Sequence, residues 1–126
     1  MTPHLRRLKW ANFALGAYTF VFGLLFLVIF VFGGWLGWQD GETPGLVFIL
    51  VGILAFLHIG GLGAAHVVVG YLVGSGRGRA AQTWLASTQL MSFPVGTVYA
   101  VYAYWVCWAD EDSIRCFESS IKPKVS

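Results

Sequence analysis

Residues 13–36 read FALGAYTFVFGLLFLVIFVFGGWL, a stretch of 24 residues without a charged side chain. This stretch decides the fold class, because about 20 apolar residues of helix cross a hydrocarbon core about 30 Å thick. The charge-free block around it extends from 10 to 39, and two further charge-free blocks follow at 43–76 and 80–109. Each block is long enough for one membrane-spanning helix.

The composition agrees with this pattern. Of the residues, 57% are hydrophobic and 11% are charged, whereas a soluble domain carries about 25% charged residues. We therefore predict an all-α, polytopic membrane protein and exclude a soluble fold, a nucleic-acid binder and a disordered chain. The net charge of +2, without a run of basic residues, also indicates no nucleic-acid partner.

The limits of three transmembrane helices follow from the polar segments and from Trp residues, which favour the headgroup level. Trp10 and Trp35 lie about 37 Å apart on an ideal helix, and Trp84 and Trp108 lie about 36 Å apart. The chain is thus predicted to be a single membrane domain, residues 1–126. The predicted spans cover about residues 11–38, 46–73 and 81–108. The predicted polar tail covers residues 110–126.

An alternative topology splits the third block at Pro94, which can begin a new helix. The two halves would have 14 or 15 residues each, about 22 Å of helix, which is short for a 30 Å core. The reversal would also lack a polar loop to satisfy its backbone. One long helix with a kink at Pro94 and Gly96 is the simpler interpretation, and four spans are the alternative.

The distribution of Lys and Arg, which are enriched in cytoplasmic loops, indicates the orientation. The N-terminal segment and the 74–79 connector hold five basic residues and no acid, whereas the 39–45 turn holds two acids and no base. We therefore expect the N-terminus and the connector in the cytoplasm. Three spans then place the C-terminus outside, beginning with the acidic residues 110–112.

A set of short motifs lies between residues 66 and 105. It comprises His66-Val-Val-Val-Gly70, Arg77-Gly-Arg79, Phe93-Pro-Val-Gly-Thr97 and Tyr102-Ala-Tyr-Trp105. This pattern resembles a group of small uncharacterised bacterial integral membrane proteins, whose final helix carries Phe/Leu-Pro-x-Gly-Thr followed by a Tyr and a Trp. Gly78 and Ala80 stand where those proteins tend to have Trp or further basic residues. The resemblance implies a multi-pass protein of the bacterial inner membrane and implies no activity.

Two histidines lie inside the second block, where ionisable residues are rare. His58 and His66 are candidates for holding a cofactor or a quinone. They are about 12 Å apart along one helix, so they cannot bind the same metal ion. The simpler interpretation is that each is neutral and bonded to a neighbouring helix, with Gln89 as a conceivable partner of His66. We predict no metal and no cofactor.

Small residues in the second block predict close helix packing. Gly60 and Ala64, and again Gly70 and Gly74, have the small-xxx-small spacing that lets helix backbones approach. The contact is either internal to the three spans or an interface with another subunit.

Polar groups in the third block predict a polar kink. Gln89, Pro94, Gly96 and Thr97 could line a water-filled or substrate-binding bend, or they could satisfy the backbone that Pro94 frees.

The third block and the tail contain one cysteine each. Cys107 and Cys116 would both lie outside the cell, where a disulfide between them is permitted.

The sequence contains no catalytic constellation, because the spans hold no acid. We predict a non-enzymatic inner-membrane protein that acts as an accessory or interaction subunit through helix–helix contacts. Its expected partners are the lipid bilayer and another membrane protein, or a second copy of the chain. The alternatives are a small homo-oligomeric channel or transporter built around the polar kink, and a cofactor- or quinone-binding subunit that uses His58 or His66.

Overall fold

The structure is a computed structural model that describes residues 1–41, 44–92 and 94–122. Within these residues the chain is all-α, without a strand, which confirms the all-α part of the predicted fold class. The five helices of the described part of the chain are α1 (Pro3–Gln39), α2 (Pro44–Gly74), α3 (Arg79–Gln89), α4 (Val95–Trp108) and α5 (Glu111–Ile121).

Two of the described helices, α1 and α2, are long and apolar enough to cross a membrane. They have 37 and 31 residues and correspond to the predicted spans 11–38 and 46–73. The chain leaves α1 through Asp40, whose backbone N–H donates to the carbonyl of Leu36, and through Gly41, which has a positive φ of 80°. Residues 42–43 of the predicted turn lie outside the described residues.

The prediction of one long third helix, 81–108, is wrong. Residues of this block form α3 and α4, which run antiparallel: Trp108 Nε1 donates to Thr83 Oγ1, and the hydroxyls of Ser87 and Tyr104 are 2.6 Å apart. The third block is thus interrupted near Pro94, where the alternative topology places the split. However, α3 and α4 have 11 and 14 residues, about 16 and 21 Å, and neither alone crosses a 30 Å core.

The chain reverses between α3 and α4 because local groups satisfy the freed backbone. Thr97 Oγ1 donates to the carbonyl of Leu90 at 2.7 Å, and the N–H of Ser92 donates to the carbonyl of Gln89 at 3.0 Å. A Cβ at Gly96 would lie 2.5 Å from that same carbonyl oxygen, so only glycine permits this close approach. A polar loop is therefore unnecessary. Phe93 of the sequence motif lies outside the described residues.

The predicted polar tail, 110–126, contains a helix. Asp110 is the N-cap of α5 and its carboxylate accepts from the N–H and the hydroxyl of Ser113. Glu111 and Asp112 fill the first turn, where negative charge is favourable. The acidic triplet is thus a helix start, which the sequence reading missed. Residues 123–126 lie outside the described residues.

The chain divides into two compact units. We call residues 15–65 the hairpin unit and residues 1–14 with 66–126 the bundle unit. Both α1 and α2 contribute residues to each of them.

The hairpin unit consists of antiparallel helical segments that approach each other through glycine. A Cβ at Gly34 would lie 2.5 Å from the carbonyl oxygen of Gly45, and one at Gly63 would lie 2.9 Å from that of Gly16. Such backbone proximity leaves no room for a side chain. Every buried residue among the described part of this unit is a glycine: Gly16, Gly23, Gly34, Gly45, Gly52, Gly60 and Gly63.

The bundle unit has a conventional core and joins the two ends of the chain. The hydroxyls of Thr2 and Ser113 are 3.1 Å apart, so residues 2 and 113 cannot lie on opposite sides of a bilayer. The expectation of a cytoplasmic N-terminus with the segment after Asp110 outside is therefore wrong, because the third block turns back instead of crossing. Buried apolar residues of this unit are Leu5, Leu8, Val69, Val73, Leu85, Ala86, Ala100, Ala103, Val106, Cys107 and Phe117.

Candidate functional site

The bundle unit encloses a group of hydrogen-bonded polar side chains contributed by four helices. Three of them have no exposed surface, the fourth is 7% exposed and the fifth is partly buried. Buried polar groups of this kind are either structural or functional, and the geometry decides which. We call this group the polar cluster; its members are Asn12 of α1, His66 of α2, Gln82 and Gln89 of α3 and Tyr99 of α4.

Three members of the polar cluster form a closed ring of hydrogen bonds. Asn12 Nδ2 donates to Gln82 Oε1 at 2.8 Å, Gln82 Nε2 donates to the Tyr99 hydroxyl at 2.8 Å, and that hydroxyl donates to Asn12 Oδ1 at 2.7 Å. Asn12 Nδ2 also donates to the backbone carbonyl of Leu8 at 3.0 Å. Asn12 therefore uses both amide hydrogens and both lone pairs once His66 is included.

His66 connects this ring to Gln89. Its Nδ1 lies 3.0 Å from Asn12 Oδ1, and its Nε2 lies 2.9 Å from Gln89 Nε2. An amide nitrogen can only donate, so Nε2 accepts and the proton of a neutral imidazole is on Nδ1, which donates to Asn12. With this tautomer, each side chain in the network meets a complementary partner.

Close packing of α1 on α2 positions the Asn12 side chain for these hydrogen bonds. A Cβ at Gly70 would lie 2.9 Å from Asn12 Cβ and 3.0 Å from the ring of Phe13. The absent side chain therefore allows Asn12 to lie directly against α2, near His66. Gly74 has the same role one turn later, where a Cβ would lie 2.7 Å from Cδ of Lys9.

Burial also keeps the phenol and one thiol of α4 uncharged. It raises the pKa of Tyr99 to about 12 and the pKa of the Cys107 thiol to about 11. Burial disfavours the charged form of both groups. Tyr99 thus keeps the proton that it donates to Asn12 over the whole physiological range.

A second set of contacts fixes the far end of the α3–α4 pair. The guanidinium carbon of Arg79 lies 3.8 Å from the ring centroid of Trp108, whose indole N–H donates to Thr83 at 2.9 Å. A stacked cation of this kind contributes about 0.5–2 kcal/mol. Arg79 begins α3 after Gly78, which has a positive φ of 76°, so the basic connector makes a defined turn there.

The structure brings together only some of the residues predicted as sites. His66 and Gln89 are joined by a side-chain hydrogen bond, as the sequence suggested. His58, in contrast, is exposed in the hairpin unit and does not belong to the polar cluster. Gly60, Gly70 and Gly74 lie at or near the α1–α2 contact, but Ala64 is exposed. Pro94 precedes α4 as its N-cap, and with Gly96 and Thr97 it belongs to the turn between α3 and α4.

Three members of the polar cluster were missed by the sequence reading. Asn12 is an amide within a charge-free block. Gln82 is seven residues before Gln89 and therefore lies on the same helix face. Both residues could have been predicted from the sequence as buried polar groups. Tyr99 stands among the aromatic residues of the third block, and such residues favour the headgroup level of a membrane. Its burial depends on the reversal at Pro94, which the sequence reading placed second.

The two cysteines are free thiols in different environments. Cys107 is fully buried, whereas Cys116 is partly exposed on α5.

We expect a maleimide to label the folded, detergent-solubilised protein at Cys116 at least about tenfold faster than at Cys107, because the reactive thiolate of Cys107 is suppressed by burial. Mass spectrometry of tryptic peptides after timed labelling measures both rates.

The control for this labelling is the Cys116→Ser variant, which should react only after denaturation in SDS. Equal labelling of the two thiols in the folded protein would contradict the described packing of α4.

Within residues 1–41, 44–92 and 94–122, no group of three or more His, Cys, Asp or Glu side chains is placed to hold a metal ion. Comparison of the chain with protein-family models, curated proteins and solved structures finds no match in any of the three.

Proposed function

We propose that this chain is a small, non-enzymatic integral membrane protein that acts as an accessory or interaction subunit through helix–helix contacts. The observation that carries the proposal is the packing of the hairpin unit, in which only glycines are buried among the described residues. The large apolar side chains of this unit therefore remain available to lipid or to another helix.

The exposure of α1 and α2 supports a membrane environment. In their most apolar windows, only 11% and 17% of the residues are buried within the structure. A core helix of a soluble protein would bury most of such a window, because a large exposed apolar surface promotes association in water. Lipid provides the apolar surroundings that these two helices require.

The polar cluster supports a role in structure more than in chemistry. Asn12, Gln82 and Tyr99 bond one another, and His66 bonds Asn12 and Gln89. A group whose donors and acceptors are occupied has little capacity left for a substrate, a quinone or a transported ion. The same bonds hold four helices together, which suits a rigid platform for a partner.

The proposed orientation uses the positive-inside bias. The three basic residues near the N-terminus and the two in the connector favour a cytoplasmic position for these two segments, with α1 and α2 crossing the inner membrane. Membrane-impermeant maleimide should then label Cys116 only after cells are opened.

The test of the proposed function is purification of the tagged, full-length chain from its native membrane in mild detergent. We expect a second membrane protein, or further copies of the chain, at close to stoichiometric amount, and we expect it to survive chemical cross-linking before extraction. A monodisperse monomer with no cross-linked partner would count against a subunit role. A tagged, unrelated two-span protein expressed at the same level is the control for nonspecific recovery.

A further inference from the structure

The turn between α3 and α4 carries exposed apolar side chains at one end of this helix pair. Leu90, Met91 and Val95 are all exposed, and Met91 is 93% exposed. We call these three residues the α3–α4 tip. The pair contains no charged residue between Arg79 and Asp110, and both of these charges lie at its other end, which we call the base.

Contacts with α2 show the direction in which α3 runs. At the base, a Cβ on Gly78 would lie 2.9 Å from Cβ of Leu72. Close to the tip, Nε2 of Gln89 lies 2.9 Å from Nε2 of His66. As α3 advances, its contacts step back along α2, so α3 runs beside α2 and away from the C-terminal end of that helix.

Contacts with α1 show that α4 returns in the opposite direction. The hydroxyl of Tyr99 donates to Asn12 Oδ1 at 2.7 Å, and the hydroxyl of Tyr102 lies 3.3 Å from Nδ1 of His4. Helix α4 therefore runs back toward the N-terminal end of α1. The base thus lies at the ends of the two long helices, and the tip lies farther along them.

Helix α2 sets the depth of the tip when the two long helices cross a membrane. Its 31 residues make about 46 Å of helix, which exceeds a core of about 30 Å by about 8 Å at each end of a centred helix. His66 lies eight residues before Gly74, so it is about 12 Å from the end of α2 and about 4 Å inside the core. The adjacent tip therefore enters the hydrocarbon layer, whereas the base stays at the headgroups.

We propose that α3 and α4 form a re-entrant helical hairpin, which enters one leaflet and returns to the face where it started, with the acyl chains of that leaflet around its tip. Lipid fits this tip because the tip continues the apolar surface of α1 and α2 at the same depth. Hydrogen bonds from Thr97 to the carbonyl of Leu90 and from Ser92 to that of Gln89 replace water for the backbone at the reversal, as lipid requires. The exposed Trp108 at the base suits the headgroup level.

This inference rests on the membrane location in the proposed function. The test uses the full-length Cys116→Ser chain, which retains only the buried Cys107, with one new cysteine labelled with the fluorophore NBD. The labelled chains are placed in liposomes of phosphatidylcholine and phosphatidylglycerol, with iodide on both sides of the membrane. We expect iodide to quench the label at Met91→Cys at least about fivefold less than the label at Arg115→Cys on α5, because ions stay out of the hydrocarbon layer.

Nitroxide-labelled phosphatidylcholine then measures the depth of the label. At Met91→Cys, a nitroxide close to the headgroup should quench more than one at the end of the acyl chain. The matched control is Val21→Cys, because Val21 is 54% exposed and lies at the middle of α1, so the order of the two nitroxides should be reversed there. Far-UV circular dichroism shows that each variant keeps its helix content.

A label at Met91 that is as open to iodide as the label at Arg115, with Val21 shielded, would overturn the re-entrant hairpin and leave the membrane location standing. Quenching at Met91 that is strongest for the deep nitroxide, as at Val21, would also overturn it, since the tip would then not stay within one leaflet. Iodide quenching at all three positions would refute the membrane location together with the hairpin.

Discussion

Replacing Asn12 with Leu is expected to destabilise the protein by about 3 kcal/mol or more. The leucine removes the acceptor of Tyr99 and His66 and the donor to Gln82. A buried polar group left without a partner costs about 1–3 kcal/mol, and three groups lose theirs at once. The measurement is the mole fraction of SDS that unfolds the protein in mixed micelles, followed by tryptophan fluorescence.

A double-mutant cycle separates this network effect from a local one. Tyr99→Phe removes only the hydroxyl, and in the Asn12→Leu background that hydroxyl has already lost its acceptor. The loss for the double variant should therefore be smaller than the sum of the single losses. Tyr18→Phe, at a position that is 69% exposed, is the control and should have little effect. Strict additivity would show that the polar cluster is not a coupled unit.

Adjacent glycines of α1 are expected to respond in opposite ways to the same substitution. In Gly34→Ala the new Cβ would lie 2.5 Å from the carbonyl oxygen of Gly45, whereas in Gly33→Ala it meets nothing within 4 Å. Overpacking of this kind costs about 1–3 kcal/mol. Alanine at an open helix position is neutral or stabilising by up to about 1 kcal/mol.

The same SDS titration measures both variants, and the difference between them is the result of interest. Because the two positions are neighbours in one helix, differences in composition and helix propensity cancel. Equal stability of Gly34→Ala and Gly33→Ala would mean that α1 and α2 do not approach through Gly34 and Gly45, and the description of the hairpin unit would have to be abandoned.

The sequence predicted α1 and α2 well because hydrophobicity over a long window is a direct signal. Uninterrupted apolar runs of this length have few alternatives to helix, and the polar 39–45 segment separates them. The residues between 80 and 109 were harder, since hydropathy cannot distinguish one kinked helix from two short ones. The decisive contacts, such as Thr97 with Leu90, form only after the chain has reversed.

Part of the polar cluster can be predicted from the sequence. His66 and Gln89 stand out as polar residues in charge-free blocks, and the sequence predicts their pairing. The addition of Asn12 and Tyr99 depends on how α1 and α4 pack, which one sequence does not specify. The start of α5 could have been found, because Asp110 followed by two acids and Ser113 is a helix N-terminal pattern.

The ring of Asn12, Gln82 and Tyr99 joins residues that are synthesised at very different times. Asn12 and Tyr99 are 87 positions apart, and at 5–20 residues per second that interval corresponds to roughly 4–17 s of translation. During it, the Asn12 amide has left the ribosome while its tyrosine partner does not yet exist. The ring therefore cannot close before α4 is made, and a chain interrupted before α4 leaves Gln82 Nε2 and Asn12 Oδ1 without their tyrosine partner.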